Sequence, residues 1–529
     1  MSQIKIGSGR NQKLFVGTFF VVFLFVGLLI FKDYGLSWDE FSSRHIGFLY
    51  LKYAWTGDLE LFDYQFRYFG GYGPVFEMSL SIVELIFNLS SDLRAVFLMR
   101  HLATFLLFYT AVIFFYRFCQ LRFQNWKMSL FGCLLLVVSP RIFADSFYNS
   151  KDIPFMCAFI LSMYSLMFYV RKRDFTSAVF HGFICAFAAA VRFPGFSCAF
   201  FTTFFLLRTH FRERKPGHLK VAGSLFTFLL LFSIFTLLFW PLLRSDTIHQ
   251  LVKIVHFPKD YPIETNVFFL GKSMPASAMP WFYLPLYLLV TIPLSYTIGF
   301  AAGCFHLLRK YLEKPAKSWH LIDQIVPLWF FVPAIPAMIF KAAFYDGWRH
   351  YFFIYPAYVV IALLGFQEMG WLLRKISSPI FQKTLSFIWV VLVSANIGGT
   401  ISFMARSHPY QNVYFNRMAG RNLTEAKEKF ELDYWGLSYR NVLEHLTAGV
   451  SPNAPVKIYA ANPAGKTSAA ILKKDERERI RFVDRLEEAD YFITNFRADT
   501  VDHSSFKEYY SVRVDQTSIA AAYQLHHPK

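Results

Sequence analysis

Cysteine is scarce and badly placed for cross-linking. Six occur among the 529 residues (Cys119, Cys133, Cys157, Cys185, Cys198 and Cys304), all in or at the ends of apolar runs. None has Cys-x-x-Cys spacing, so a disulfide framework and a thiolate zinc site are both excluded, and these residues read as small core side chains. Three nucleotide motifs are also missing, namely GxxxxGK[ST], GxGxxG and DxD, so no cytosolic nucleotide cradle is expected. There is no internal repeat and no low-complexity segment. Acidic side chains are in deficit, 36 Asp and Glu against 54 Lys and Arg, a formal charge of +18.

What is abundant is apolar surface. The chain is 55% hydrophobic, holds 64 Phe and has a mean hydropathy of +0.34. The excess is gathered in runs of about 18 or more residues, long enough to cross a bilayer. The expected class is therefore mainly α, a polytopic transmembrane helical bundle. Eleven spans are expected, near 14–31, 95–116, 128–142, 153–170, 176–191, 194–207, 221–243, 281–307, 324–341, 351–373 and 384–404. The first follows Lys5, Arg10 and Lys13 and reads as a retained anchor rather than a signal peptide. The fifth and sixth are short, separated by "RFPG", and suit a broken hairpin.

Lys and Arg crowd alternate connections, such as "RTHFRERKPGHLK" and "LLRKISSPIFQK". This asymmetry places the N-terminus in the cytoplasm and the C-terminus outside. It also accounts for the positive charge without a nucleic-acid partner. Residues 1–404 form the expected membrane module, whose first outer segment, 32–94, carries two amphipathic patterns read as interfacial helices joined by the bend "YFGGYGP". Residues 405–529 are less apolar and nearly balanced in charge. "PVKIYAA", "ADYFITNF" and "YYSVRV" read as strands and "YRNVLEHL" as a helix, so a small soluble α/β domain is expected there.

With cations expected inside, the few polar residues at the outer face are informative. "WDE" holds Trp38, Asp39 and Glu40. "SPRIFADSFYNSKDIP" holds Arg141, Asp145, Asn149, Lys151 and Asp152. "DGWRHYFFIYP" holds Asp346, Arg349, His350 and Tyr351. Arg192 lies between these loops, and Arg100 lies about a turn inside the second span. Each has a plainer reading. Asp39 and Glu40 would suit a solvated face, Arg141 and Lys151 would suit snorkelling to headgroups, Arg349 and His350 would suit interfacial anchors, and Arg100 an ion pair within the bundle. The functional reading requires them to converge on one outer cavity.

Several cations at a membrane face suit an anionic group delivered from the lipid, and a phosphate is the obvious one. A phosphate carrying a sugar is already a good leaving group, so one base and cations suffice. A glycosidase would instead need two carboxylates on opposite sides of the bond, roughly 5–9.5 Å apart, which sequence neighbours rarely achieve.

At these residues the sequence resembles the protein O-mannosyltransferase and aminoarabinose-transferase group, membrane glycosyltransferases of the GT-C fold in glycosyltransferase family 39. "WDE", "SPRIFADSFYNSKDIP", "PWFYLPLYLLVTIP" and "DGWRHYFFIYP" occur in the family's order, and the likeness spans roughly residues 10–405. "HPYQNVYFN…DYWG" resembles extensions on bacterial members. The resemblance implies inverting transfer of a sugar from a polyprenyl-phosphate donor to a hydroxyl on the extracytoplasmic side. It implies Asp39 as the acceptor-facing base with Glu40 its neighbour, Arg100 as the arginine early in span two, and Asp145 and Asp152 as the second acidic region. The family's late Arg-Tyr pair is interrupted here by His350.

The expected donor-phosphate ligands are thus Arg100, Arg141, Lys151, Arg349 and His350. Asp145, Asp152, Tyr351 and Trp38 are expected to bind substrate or support the site, Trp38 either lining the sugar subsite or anchoring the boundary. Asp39, Glu40, Asp145 and Asp152 are the one acid set that would suit a divalent ion. The cations already supply positive charge, so no metal and no cofactor is expected. The alternative function is a secondary transporter or flippase for a lipid-linked or anionic substrate. It is disfavoured because no duplicated halves or matched interrupted spans are seen. Expected partners are the polyprenyl-phosphate sugar, membrane lipids and a protein, lipid or glycan acceptor; the expected location is a bacterial inner membrane.

Overall fold

The computed structural model describes residues 9–58, 60–213, 218–256, 266–313, 320–340, 344–449, 454–497, 501–502 and 504–525. Helices dominate it. Seven are long and apolar enough to cross a membrane: Arg10–Ile30, Leu93–Phe123, Asp152–Lys172, His218–Phe239, Leu321–Ile339, Arg349–Arg374 and Pro379–Arg406. Each overlaps an expected span. The other four expected spans are helical but short or broken, and the reason is proline.

Trp126–Val137 and Pro140–Tyr148 meet at a bend of 68°. Ser139 is extended and Pro140 opens the second helix, where its missing N–H costs nothing. The run expected over 281–307 likewise divides into Tyr283–Thr291 and Leu294–Glu313, with Ile292 extended ahead of Pro293. Phe175–Val191 and Ser197–Glu213 flank a 3-10 turn at Phe193–Phe196, the broken hairpin expected from "RFPG".

Local signals fix several helix ends. The Asp92 side chain accepts from Ala95 N at 3.3 Å, and Asp174 accepts from Ser177 N at 2.8 Å, each satisfying an orphan donor at a helix start. Inside the bundle, Leu294–Glu313 lies directly on the 355–374 helix. A side chain at Gly303 would collide with the Ile361 carbonyl, and one at Gly365 with the Gly299 carbonyl. Small residues let these two backbones touch, which is how apolar helices gain packing energy when lipid is the solvent.

The segment that follows the first span forms the helices Glu40–Thr56 and Val75–Ile86, with Gly70 supplying a positive φ of 48° in the bend between them. A hairpin that the sequence reading did not anticipate follows the seventh span. Strand β1, Asn266–Phe269, pairs antiparallel with β2, Lys272–Pro275. Its two-residue turn is Leu270-Gly271, both at positive φ (51° and 77°). Leucine there is a poor turn signal, which is why the pattern was illegible.

The tail contains β3 (Val456–Ala460), β4 (Ile480–Phe482), β5 (Tyr491–Thr494), β6 (Lys507–Val514) and β7 (Thr517–Gln524), in the order β4-β3-β5-β7-β6. The first three are parallel and the last two antiparallel. Helix Tyr439–Gly449 packs against this sheet, completing an α/β unit.

The tail sits on the loops at one end of the bundle. Trp38 N donates to Trp435 O at 3.1 Å, and Gly271 N to Lys429 O at 3.3 Å. A side chain on Gly35 would overlap the Leu437 carbonyl, so the chain leaving the first span runs in backbone contact with the tail. The segments 32–94, 139–152, 266–275 and 344–350 all meet at this end. The opposite end has its own ion pairs, Lys310 with Asp323 at 2.6 Å and Arg309 with Glu368 at 2.6 Å.

Candidate active site

The two adjacent acids of "WDE" have different surroundings. Asp39 lies just before the helix that begins at Glu40, with its side chain 25% exposed. Its Oδ2 is 2.7 Å from Lys151 Nζ and 3.7 Å from Arg349 Nη2. Glu40 is buried and fully committed. Its Oε2 accepts from Ser37 N at 2.6 Å, and its Oε1 lies 2.8 Å from His101 Nε2. One carboxylate is available to a substrate; its neighbour holds the turn that presents it.

Arg349 is the hub. Its Nη1 reaches Asp152 Oδ2 at 2.9 Å, and its Nε and Nη2 reach Asp346 Oδ2 at 3.2 and 3.0 Å. Asp152 also pairs with Arg192, whose Nη1 donates to the His350 carbonyl at 3.1 Å. Asn149 ties the second acidic region together, donating to Asp145 Oδ1 at 2.8 Å and Asp152 Oδ2 at 3.2 Å. Lys151 is packed on aromatic faces, 5.2 Å from the Phe69 ring and 4.9 Å from Tyr72. These contacts hold a strongly hydrated ammonium in a drier place than water.

Burial pushes the Asp39 carboxyl upward, but the charges of Lys151 and Arg349 outweigh it and hold its pKa below the usual range. Lys151 is affected in the complementary way: burial lowers it, and Asp39 more than restores it, so its pKa lies above the ordinary value. Both groups are charged at neutral pH, and each masks the other.

Arg141 differs from the other cations. Its Nε donates to the Tyr414 carbonyl at 3.1 Å and its guanidinium lies 4.6 Å over the Phe415 ring. It is 4% exposed, pairs with no carboxylate among the described residues, and its Nη2 has no hydrogen-bond partner. A buried guanidinium left in this state is a place where an anion would be favourable.

The structure does not bring every sequence candidate together. Arg100 is enclosed with Glu77 and forms no ion pair with Asp39, Asp152 or Asp346; its Nε and Nη1 have no hydrogen-bond partner among the described residues, and Glu77 also accepts from Ser150 Oγ at 2.6 Å. This is the bundle ion pair that was its plainer reading. The His350 ring stacks edge-on against Tyr345 at 4.6 Å and contributes its carbonyl, not its imidazole, to the ionic network. Tyr351 packs 5.7 Å from the Phe344 ring. The four acids Asp39, Glu40, Asp145 and Asp152 do not assemble as a ligand set. Among the described residues no group of three or more His, Cys, Asp or Glu is placed to hold a metal ion.

Three further residues contribute to the site. Arg497, just after β5, puts Nη2 2.7 Å from Asp346 Oδ1 and its guanidinium 5.5 Å over the Trp38 ring. Trp435 donates Nε1 to Asp346 Oδ2 at 3.1 Å and lies beneath Arg349, ring to guanidinium 4.8 Å. His101 braces Glu40. Within "DYW", Asp433 holds a turn, accepting from Ser438 N at 2.8 Å and Leu437 N at 3.2 Å, while Trp435 joins the site. The basic character of Arg497 was visible in the sequence; its reach to a loop near the membrane was not.

Comparison with known proteins adds to this geometry. Residues 73–240 match the family model described as dolichyl-phosphate-mannose-protein mannosyltransferase. Two solved structures are similar over nearly their whole lengths. ArnT from Cupriavidus metallidurans in the apo state is 12% identical, with a TM-score of 0.46, over 96% of this chain and 98% of that one. The same protein bound to undecaprenyl phosphate is 12% identical, with a TM-score of 0.45, over 95% and 97%. No curated protein matches. The matched segment begins at Gly73 and includes Arg100, Arg141, Lys151 and Arg192.

Proposed function

We propose that this protein transfers a sugar from a polyprenyl-phosphate carrier to an acceptor hydroxyl, on the extracytoplasmic side of the membrane. The observation that carries the reading is the cluster of charges around Asp39. One partly exposed carboxylate, Asp39, faces Lys151 and Arg349, and a further buried guanidinium, Arg141, lacks a counter-ion. The description of the matched family, which names a lipid-phosphate sugar, agrees with such a donor.

The reaction balances as one displacement. The acceptor oxygen forms a bond to the anomeric carbon, the bond from that carbon to the phosphate oxygen breaks, and the electron pair leaves with the polyprenyl phosphate. The acceptor proton passes to Asp39. Attack opposite the leaving phosphate inverts the anomeric centre. Arg141, Lys151 and Arg349 meet the growing phosphate charge, which is where preorganised cations lower a barrier most. Because side chains supply that charge, activity is expected to survive exhaustive chelation.

The Asp39–Lys151 pair gives the steps an order. While Lys151 holds Asp39, the carboxylate is a weak base. A donor phosphate that attracts Lys151 leaves Asp39 less neutralised and more basic, so the base is activated only when the sugar is present. Glu40, Asp145 and Asp152 are supports in this scheme, and Trp38 lines the acceptor side.

The test is turnover of a radiolabelled polyprenyl-phosphate sugar by purified Asp39→Asn. The expected loss is at least a hundredfold, in the range for a general base. Turnover near that of the wild type removes Asp39 from the mechanism. A gradient-driven carrier, by contrast, would leave the sugar–phosphate bond intact in detergent.

A further inference from the structure

Beside the hub lies a cavity of about 360 Å³, bounded by the β1–β2 hairpin, residues 427–434, the end of β5 and the start of β7. It is near the low end of the size range of small-molecule sites, roughly 300–1,000 Å³. Its polar wall includes Lys427, Glu431 and Arg497, and its apolar wall Phe268 and Phe430. None of the steps above uses Lys427 or Glu431.

Both are half-buried charges with unused bonding capacity. The Glu431 side chain is 10% exposed, and its nearest cation, Arg497 Nε, is 3.7 Å away, beyond hydrogen-bond distance. Lys427 Nζ donates to the Ser518 carbonyl at 2.8 Å and lies 3.3 Å over the Phe496 ring, and it pairs with no carboxylate among the described residues. Burial raises the Glu431 carboxyl to about 7 and lowers the Lys427 amine to about 8, consistent with a poorly hydrated chamber. Asn495 is already spent, donating to the Asp433 carbonyl at 2.7 Å and accepting from Asn462 Nδ2 at 2.7 Å, and so acts as rigid wall.

The charge balance selects the ligand. The lining carries two cations, Lys427 and Arg497, against two carboxylates, Glu431 and Asp433, so neither a strongly anionic nor a strongly cationic group would be favoured. Hydroxyl groups donate to a carboxylate and accept from an ammonium, and the C–H face of a sugar ring suits a phenylalanine face. We propose that this cavity binds a saccharide unit of the acceptor, so that the acceptor is a glycan rather than a protein side chain. The inference rests on the sugar-transfer reading. Arg497 belongs to both places: it lines the cavity and holds Asp346, which holds Arg349, 3.7 Å from Asp39. A hydroxyl on the bound saccharide therefore approaches Asp39 past Arg497 and Trp38.

The experiment uses the full chain in nanodiscs with the radiolabelled polyprenyl-phosphate sugar pool of its host. Three acceptor fractions come from cells lacking the protein: delipidated protein, glycolipid and free polysaccharide. Label is expected in a saccharide-bearing fraction, on a sugar hydroxyl. Glu431→Gln and Lys427→Met should each raise the acceptor KM about tenfold, with the effect on the acceptor KM and not on the donor KM. Label on serine or threonine of the protein fraction overturns the glycan inference while leaving sugar transfer intact. Saccharide labelling with an unchanged acceptor KM in both variants also overturns the cavity's role. If no fraction accepts label and the donor is never cleaved, the sugar-transfer reading itself fails, and this inference with it.

Discussion

Replacing Lys151 with methionine tests the central electrostatic claim most directly. Methionine keeps much of the length and packing of the stem against Phe69 and Tyr72 but removes the charge 2.7 Å from Asp39. Two consequences follow. First, the leaving phosphate loses one cationic partner. In a water-poor site such a donor is worth about 10²–10³ in rate, or about 2.7–4 kcal/mol. Second, Asp39 loses the largest of the three charges that lower its pKa, and burial then pushes it upward. The sign is definite: the acid limb of the pH–rate profile, below the ordinary carboxylate range in the wild type, moves to higher pH in Lys151→Met. The assay is cleavage of the labelled donor at subsaturating concentration, which reports the free enzyme, from pH 3 to pH 9. A rate within threefold of wild type, together with an unmoved acid limb, refutes both the phosphate role of Lys151 and its hold on Asp39.

Other expectations follow from the same geometry. Arg141→Met should raise the donor KM about tenfold without lowering the thermal midpoint, because the guanidinium it removes has an unsatisfied Nη2 in the unliganded protein. Glu40→Ala should lower both activity and stability, the latter by about 1–3 kcal/mol, since Ser37 N and His101 lose their buried partner. Asp39→Asn should lose activity with a much smaller change in thermal midpoint, and equal destabilisation by the two would contradict this division. Glu431 has a folded-state pKa of about 7, raised first by burial and further by Asp346, with Arg497 opposing. For an acid raised in this way, stability falls as pH climbs from about 4 to about 7, by at most about 3 kcal/mol. Glu431→Gln should therefore gain in thermal midpoint relative to wild type at pH 8 and not at pH 5.

How much of this could be read from the sequence varied with the range of the interaction. Span positions were legible because apolar runs are local. What was missed was where proline cuts a run, as at Pro140 and Pro293, since composition alone does not distinguish a straight span from a bent pair. The tail strands at 456–460, 491–494 and 507–514 were visible in their β-branched and aromatic content, whereas the hairpin at 266–275 was hidden by its Leu-Gly turn. Asp39, Lys151, Asp152, Arg192 and Arg349 could be singled out because charge is expensive at a membrane face, and the structure places them within one network. Their division of labour was not legible. Nothing local distinguishes Asp39 from Glu40, and nothing in "NFR" reveals that Arg497 reaches Asp346, because that depends on how the tail sheet docks.

That docking has a consequence for biogenesis. The Asp346 carboxylate is gripped by Trp435 and Arg497, and the exit from the first span is pressed against Leu437. A nascent polypeptide therefore has all its membrane helices before it has a working centre. On the sugar-transfer reading, competence arrives last, once β5 and Arg497 are made and folded against the loops, and a product truncated upstream of them is expected to be inserted in the bilayer yet chemically inert.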